Sequence, residues 1–135
     1  MYLLDTNAVS ELRKPRPHSG VLAWLQSVPD GDLHLSAVTL GEIQLGIERV
    51  REQDAAKAQM IEEWADLVAG SYSILPMTGE VFRTFARLMH GKSESYYEDA
   101  MIAATAKLHQ LVVVTRNTSD FVQFGVEVLN PFERR

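Results

Sequence analysis

Short apolar segments alternate with longer segments of helical periodicity along the chain. The short segments predict five strands, of which the first is apolar enough to be buried on both faces: 1–5, 33–35, 72–75, 111–115 and 126–129. Apolar residues at helical spacing predict six helices between them: 7–13, 21–28, 39–51, 54–69, 78–89 and 95–109. Strands separated by helices are typical of βαβ units, which predicts an α/β fold with a mainly parallel sheet.

Two of the predicted helices begin with a capping-box pattern. Thr39 is followed three residues later by Glu42, and Ser95 is followed at the same spacing by Glu98. The pattern predicts Thr39 and Ser95 as N-caps. It also gives Glu98 a structural role that the neighbouring Asp99 does not have.

The composition is that of an ordinary globular chain. At 135 residues, with 46% hydrophobic and 23% charged residues, the chain is predicted to form a single domain, 1–135. No apolar stretch is long enough for a membrane span, and a first strand at Met1 or Tyr2 leaves no room for a signal peptide. Since there is no cysteine, we expect neither disulfides nor thiolate metal sites, and a cytoplasmic location fits this composition.

Four acidic residues occupy positions where the local sequence pattern does not favour an ordinary solvent-exposed carboxylate: Asp5, Glu42, Asp99 and Asp120. Asp5 ends the first strand, and Asp120 follows the strand 111–115 after a short polar loop. Ligands of open α/β sheets bind beyond the carboxyl ends of the strands, where both of these acids are expected. Asp99 begins a small-residue helix and shares its inward face with Ile102 and Ala103.

If the four carboxylates converge, they need a cation. Two carboxylates about 5 Å apart repel each other by roughly 3 kcal/mol at an effective dielectric constant of about 20. Mg²⁺ or Mn²⁺ would relieve that repulsion, because hard cations take oxygen ligands. Three of the acids also have a purely structural interpretation: Asp5 as the cap of the next helix, Glu42 as part of the capping box, and Asp120 as a turn or cap residue.

The net charge of −5 does not exclude a nucleic-acid partner. Without the four acids, 14 acidic residues face 13 basic ones, and a bound divalent ion would attract phosphate. Arg13, Lys14 and Arg16 lie near the edge of the predicted site. They are interpreted either as contacts to RNA phosphates or as part of a solvated loop.

Four segments in series resemble the PIN-domain ribonucleases, and among them the VapC toxins of bacterial type II toxin–antitoxin modules, including the FitB-like branch. The resemblance runs through the whole chain in order. The segments that carry it are Leu3-Leu4-Asp5-Thr6-Asn7, Ser36-x-x-Thr39-x-x-Glu42-x-x-x-Gly46, Asp99-Ala100-Met101-Ile102-Ala103-Ala104-Thr105-Ala106 and Val114-Thr115-Arg116-Asn117-x-x-Asp120-Phe121.

The resemblance implies a three-layer α/β/α sandwich and endonucleolytic RNA cleavage that depends on Mg²⁺ or Mn²⁺. The first three acids of the family map to Asp5, Glu42 and Asp99. Many members place the fourth acid at the position of Asn117, whereas here an acid stands three residues later, at Asp120. Both residues are therefore candidates, and Thr115 is implied to lie near the metal, where it can hold a ligand or water.

The resemblance also implies partners and an assembly. The family pattern is a homodimer neutralised by a small antitoxin, in a heterotetramer or hetero-octamer, with RNA as substrate and no membrane association. The antitoxin's C-terminal segment is implied to cover the active site. The apolar helices 40–50 and 54–69, together with Trp64, are plausible walls for that segment.

Other acidic-pocket proteins fit the sequence less well. A phosphorelay receiver domain needs two adjacent acids after the first strand, but Asp5 lies between Leu4 and Thr6. A phosphatase of the haloacid-dehalogenase type needs an aspartate two residues after the first, where this chain has Asn7. A non-catalytic or regulatory PIN-like binding module remains the alternative if Asp120 cannot replace an acid at position 117.

Overall fold

Five short strands form a single parallel sheet at the centre of the molecule. The computed structural model describes residues 1–133, so residues 134 and 135 of the predicted domain lie outside the described residues. The strands are β1 (Tyr2–Leu4), β2 (Leu33–Ser36), β3 (Ser73–Leu75), β4 (Val112–Val114) and β5 (Val128–Leu129). All four strand pairings are parallel, in the order β3-β2-β1-β4-β5. The predicted strands and the parallel sheet are therefore confirmed.

Seven α-helices connect and cover the strands within the described residues. They are α1 (Thr6–Glu11), α2 (Ser19–Ser27), α3 (Ala37–Arg51), α4 (Ala55–Ser71), α5 (Gly79–Met89), α6 (Tyr97–His109) and α7 (Thr118–Val122). Helix α7 replaces the polar loop that the sequence predicts before Asp120. No helix within residues 1–133 is both long and apolar enough to cross a membrane.

Alternate strand residues enter two separate hydrophobic cores, one on each face of the sheet. Leu4 and Val114 pack with residues of α3 and α4, whereas Leu3 and Val113 pack with residues of α6. These strand residues are almost completely buried, as expected for a parallel sheet covered on both faces. The arrangement confirms the expected three-layer α/β/α sandwich.

Both predicted capping boxes are wrong. Helix α3 begins directly after β2, so that Ser36 is its N-cap and accepts a hydrogen bond from the Val38 amide at 3.2 Å, while Thr39 is buried inside the helix. A 3₁₀ turn at Glu94–Tyr96 precedes α6, whose N-cap Tyr96 makes no side-chain capping bond. Both segments contain the residue types of a capping box. In the folded chain, however, each helix begins at a different residue from the one that the pattern predicts.

Candidate active site

The candidate site lies at the carboxyl edge of the sheet, around its central strand. Strand β1 pairs with β2 on one side and β4 on the other. Asp5 follows β1 and its amide donates to the Val114 carbonyl at 3.0 Å, which continues the pairing one residue past the strand. Thr115 follows β4 and is fully buried. The predicted meeting of the two strand ends is therefore present.

Both carboxylate oxygens of Asp5 are fixed by hydrogen bonds. Oδ1 accepts from the Ala8 amide at 2.8 Å and so caps α1, while Oδ2 accepts from the Thr115 hydroxyl at 2.6 Å. The side chain is only 4% exposed. Burial raises the pKa of Asp5, and the two hydrogen bonds partly oppose that rise. Capping and a place at the site are thus combined in one residue.

Glu42 lies on α3 at the opposite side of the pocket, half-buried. One of its oxygens accepts from the Thr6 hydroxyl at 2.7 Å. Burial, followed by the contact with the Glu98 carboxyl, raises the pKa of Glu42 to about 8. Glu98 on α6 therefore faces the site instead of completing a capping box, although the side chain is exposed to solvent.

Asp99 and Asp120 bring two further carboxyl groups to the same region. Asp99 is in the first turn of α6 and Asp120 in the first turn of α7, and both are half-buried. Burial, and then the negative charges of Asp120 and Asp5, raise the pKa of Asp99 to about 6. The charges of Asp120 and Asp5 therefore both act on Asp99.

Asn117 lies at the edge of this group. Its backbone N–H donates to the Thr115 hydroxyl oxygen at 2.9 Å. Its exposed side chain lines a neighbouring cleft together with Arg116. The structure thus groups Asp5, Glu42, Asp99, Asp120 and Thr115, with Asn117 at the rim. Glu98 is an additional member of this group, although the sequence pattern predicts a capping role for it. Its contact with Glu42 joins two helices that are distant in the chain, and a local pattern does not show such a contact.

The donor chemistry of this pocket fits a divalent cation. Its candidate ligands are carboxylate oxygens, and none of the three ion pairs found within residues 1–133 involves Asp5, Glu42, Asp99 or Asp120. Among those residues, no three acidic or histidine side chains already stand close enough to hold an ion. Burial, and after it the neighbouring carboxylates, raise the pKa values of Glu42 and Asp99, so both groups favour the protonated form when no cation is bound.

Fold and site together define an α/β/α protein with a carboxylate-rich pocket at the strand ends, and a model of the PIN domain matches residues 2–126. The chain belongs to the PIN-domain family. It is 38% identical over 140 residues to Toxin FitB of Neisseria gonorrhoeae, with 98% of this chain and 99% of the relative covered. It is 34% identical over 145 residues to VapC ribonuclease Y4jK of Sinorhizobium fredii, with the same coverage of 98% and 99%.

The fold agrees with a solved structure at similar identity. The structure of FitAB bound to an IR36 DNA fragment contains a chain that superposes with a TM-score of 0.82 at 37% identity. The match covers 98% of this chain and 96% of that one. The predicted family and the predicted PIN-like sandwich are both confirmed.

Proposed function

We propose that this protein is a divalent-metal-dependent endoribonuclease that acts as the toxin of a toxin–antitoxin module. The observation that carries the proposal is the group of buried and half-buried carboxylates beside the carboxyl ends of β1 and β4, none of which has an ion-pair partner among residues 1–133. Membership of the PIN-domain family and similarity to a VapC ribonuclease and to Toxin FitB support it. The working unit is proposed to be one domain, 1–135, in the cytoplasm.

Each residue of the pocket has a proposed role. Asp5, Glu42, Asp99 and Asp120 hold the metal, which is Mg²⁺ or alternatively Mn²⁺. Thr115 fixes one oxygen of Asp5 through its hydroxyl. Thr6 does the same for Glu42, so two of the four ligands are oriented before any ion arrives.

The chemistry follows from this arrangement. When bound, a divalent cation lowers the pKa of a water molecule and stabilises negative charge on a phosphate oxygen. The carboxylates determine where a cation, and through it the phosphodiester, would be held; Asp5 is buried and Asp99 half-buried, which restricts the access of water to them. Raised carboxyl pKa values mean that the ion must displace protons, so that activity is expected to increase with pH.

Asn117 and Asp120 divide the fourth position between them in this proposal. The charge of Asp120 contributes to the raised pKa of Asp99, which supports a role for Asp120 beside Asp99. Asn117 lies at the rim and supplies a neutral amide. Asp120 is therefore assigned as the metal ligand, and Asn117 as a neighbour that contacts substrate or water.

A small antitoxin is the proposed protein partner, with a homodimer as the unit that it binds, in a heterotetramer or hetero-octamer. A cleft of about 270 Å³ runs from Glu42 along Ile43 and Ile47 to Trp64. A second cleft of about 340 Å³ continues on the other side of Trp64. Together they form a largely apolar path that leads to the carboxylates, which suits a segment that covers the site.

The proposal is tested by cleavage of RNA with the purified protein. We expect cleavage with Mg²⁺ or Mn²⁺ and none in excess EDTA. Asp120→Asn should reduce the rate by orders of magnitude, because it removes a ligand charge, while Asp66→Asn on the exposed face of α4 should leave it unchanged. Equal cleavage in EDTA would overturn the metal-dependent mechanism. Full activity of Asp120→Asn would support a different fourth ligand.

A further inference from the structure

Another cleft, distinct from the two beside Trp64, adjoins the carboxylate pocket, and its charged side chains are mainly basic instead of acidic. We call it the basic cleft; it has a volume of about 350 Å³ and its walls include Asn7, Arg13, Lys14, Arg116, Asn117 and Phe132. Three cationic side chains line it against one carboxylate, that of Glu11. In a chain with a net charge of −5, a cleft with an excess of positive charge beside an acidic pocket requires a separate explanation.

The single acid of the basic cleft is already engaged. Glu11 is only 6% exposed, forms an ion pair with the Lys14 ammonium at 2.9 Å, and accepts from the His18 amide at 2.9 Å. Neither Arg13 nor Arg116 has an ion-pair partner within residues 1–133. Glu11 thus neutralises Lys14 first and acts more weakly on Arg116, so the cleft keeps an excess of positive charge, carried by Arg13 and Arg116.

Arg116 is held in place by an aromatic ring instead of a carboxylate. Its Cζ lies 3.9 Å from the ring centroid of Phe132, in a cation–π contact. The His18 ring packs against the same phenyl group, with a centroid distance of 5.4 Å. The contact orients the guanidinium, whose N–H groups have no hydrogen-bond partner among residues 1–133. Unpaired nucleotide bases stack on planar guanidinium groups of this kind.

The basic cleft is connected directly to the candidate active site. The backbone N–H of Asn117 donates to the Thr115 hydroxyl oxygen, and that hydroxyl donates to the Asp5 carboxylate. Arg13 also lines the cleft that contains Glu42, so it stands between the basic cleft and the candidate active site. An RNA chain that has one phosphate at the carboxylates would therefore pass Asn117 and Arg13 on its way into the basic cleft.

We propose that the basic cleft is a binding subsite for the single-stranded RNA next to the phosphate that is cut. In this subsite Arg116, supported by Phe132, stacks on a base, and Arg13 neutralises a backbone phosphate. The inference rests on the proposed nuclease function and deepens it, because it assigns Arg116, Phe132 and Arg13 to the RNA that flanks the cut phosphate. It also resolves the two interpretations of the basic residues after α1 in favour of phosphate contact for Arg13.

The test is binding of a fluorescent single-stranded RNA, with Ca²⁺ in place of Mg²⁺ and the RNA checked for integrity. Arg116→Lys keeps the charge but removes the planar group, so affinity should fall about tenfold with little change in salt dependence. Arg13→Gln removes one phosphate contact, so the slope of log K against log salt should fall by about 0.7. Arg83→Gln on α5 is the matched control and should behave as the wild type.

Further outcomes separate this subsite from its alternatives. An RNA duplex of the same sequence should bind more weakly and respond little to Arg116→Lys, since its bases are already stacked. Wild-type affinity of both cleft variants, or no RNA binding by the wild type, overturns the subsite. Release of a protein partner by the same variants without any effect on RNA assigns the cleft to that partner instead. RNA binding that depends on the cleft, with no metal-dependent cleavage, would refute the proposed function and leave the subsite standing.

Discussion

The hydroxyl of Thr115 makes two contacts at the point where β1 and β4 end. It donates to Asp5 at 2.6 Å and accepts from the Asn117 amide at 2.9 Å. Both contacts lie at full or partial burial, where an unpaired polar group costs about 1–3 kcal/mol. One side chain therefore orients the best-buried carboxylate of the site and the backbone of the residue that borders the basic cleft.

Thr115→Val keeps the shape of this residue and removes both hydrogen bonds. We expect a loss of about 1–3 kcal/mol in the free energy of unfolding, and a further rise in the pKa of Asp5, because one of its two stabilising hydrogen bonds is gone. Loss of an orienting partner should reduce RNase activity about 10- to 100-fold. Urea denaturation and cleavage rates measure the two effects.

Thr105→Val is the matched control for that variant. Thr105 is equally buried, but its hydroxyl donates to the Met101 carbonyl of its own helix. The control should therefore retain its activity. If Thr115→Val cleaves RNA as fast as Thr105→Val does, Thr115 has no role in positioning Asp5.

Helices α3 and α6 meet at the site through groups that repel each other. The pKa of Asp99 rises from 3.8 to about 6, and that of Glu42 rises from 4.5 to about 8. A carboxyl group with a higher pKa in the folded state binds more protons there than in the unfolded chain. The free energy of unfolding without metal is therefore expected to fall as the pH rises from about 4 to about 8.

Melting temperatures in EDTA between these pH values test this repulsion. Asp99→Asn should be more stable than the wild type above the pKa of Asp99 and should flatten the lower part of the profile. Glu98→Gln should flatten the upper part, because Glu98 raises the pKa of Glu42. Excess Mg²⁺ should restore the stability of the wild type at the higher pH values, since it binds the ionised form.

The exposed Glu63 on α4 supplies the control for this series, as Glu63→Gln. Its profile should follow that of the wild type. A wild-type melting temperature that rises steadily over the same range in EDTA would contradict the raised pKa values of Asp99 and Glu42, which burial causes first and neighbouring carboxylates second.

The same elements show what the sequence reveals and what it does not. The strands and the six longer helices are predictable because each has several apolar residues at the period of its structure. Helix α7 is a five-residue helix, with polar Thr118 and Ser119 at its start and Phe121 as its buried residue, so it shows no periodicity. The site acids on strand ends and on an inward helical face are predictable by the same logic.

Contacts between distant elements are not visible in this way. Glu98 matches a capping box by sequence, yet it meets Glu42 because α3 and α6 approach each other. The contact of Arg116 with Phe132 depends on how the chain returns after β5. Local patterns fix where a residue stands within its element, whereas the packing of elements fixes which residue it meets.

At the scale of the whole molecule, two apolar surfaces remain uncovered within residues 1–133. One follows α3 and α4 past Trp64, and the other combines exposed Phe82 of α5 with exposed Tyr97 of α6. Exposed apolar surfaces of this kind mark protein contacts. We expect the proposed antitoxin to cover the first of them and the proposed second copy of the chain to cover the other.

Light scattering and a binding titration test this assembly. The free protein is expected to be a dimer at micromolar concentration, and a small protein encoded beside it should bind and stop cleavage. Trp64→Ala should weaken that binding by about 30-fold or more, as is typical of a buried interface tryptophan. Asp66→Ala, at an exposed position on the opposite face of the same helix, is the matched control. A monomer both alone and in the mixture would contradict the assembly.

The hydrogen bond between Thr115 and Asp5 joins residues 110 positions apart, and this has a consequence during protein synthesis. The central strand β1 leaves the ribosome first, but β4, its neighbour on one side, is made of Val112–Val114 and emerges late. Asp120 emerges later still. A nascent chain that has not yet reached β4 therefore carries Asp5 without the hydroxyl that orients it, and the group of carboxylates is complete only once Asp120 has been synthesised.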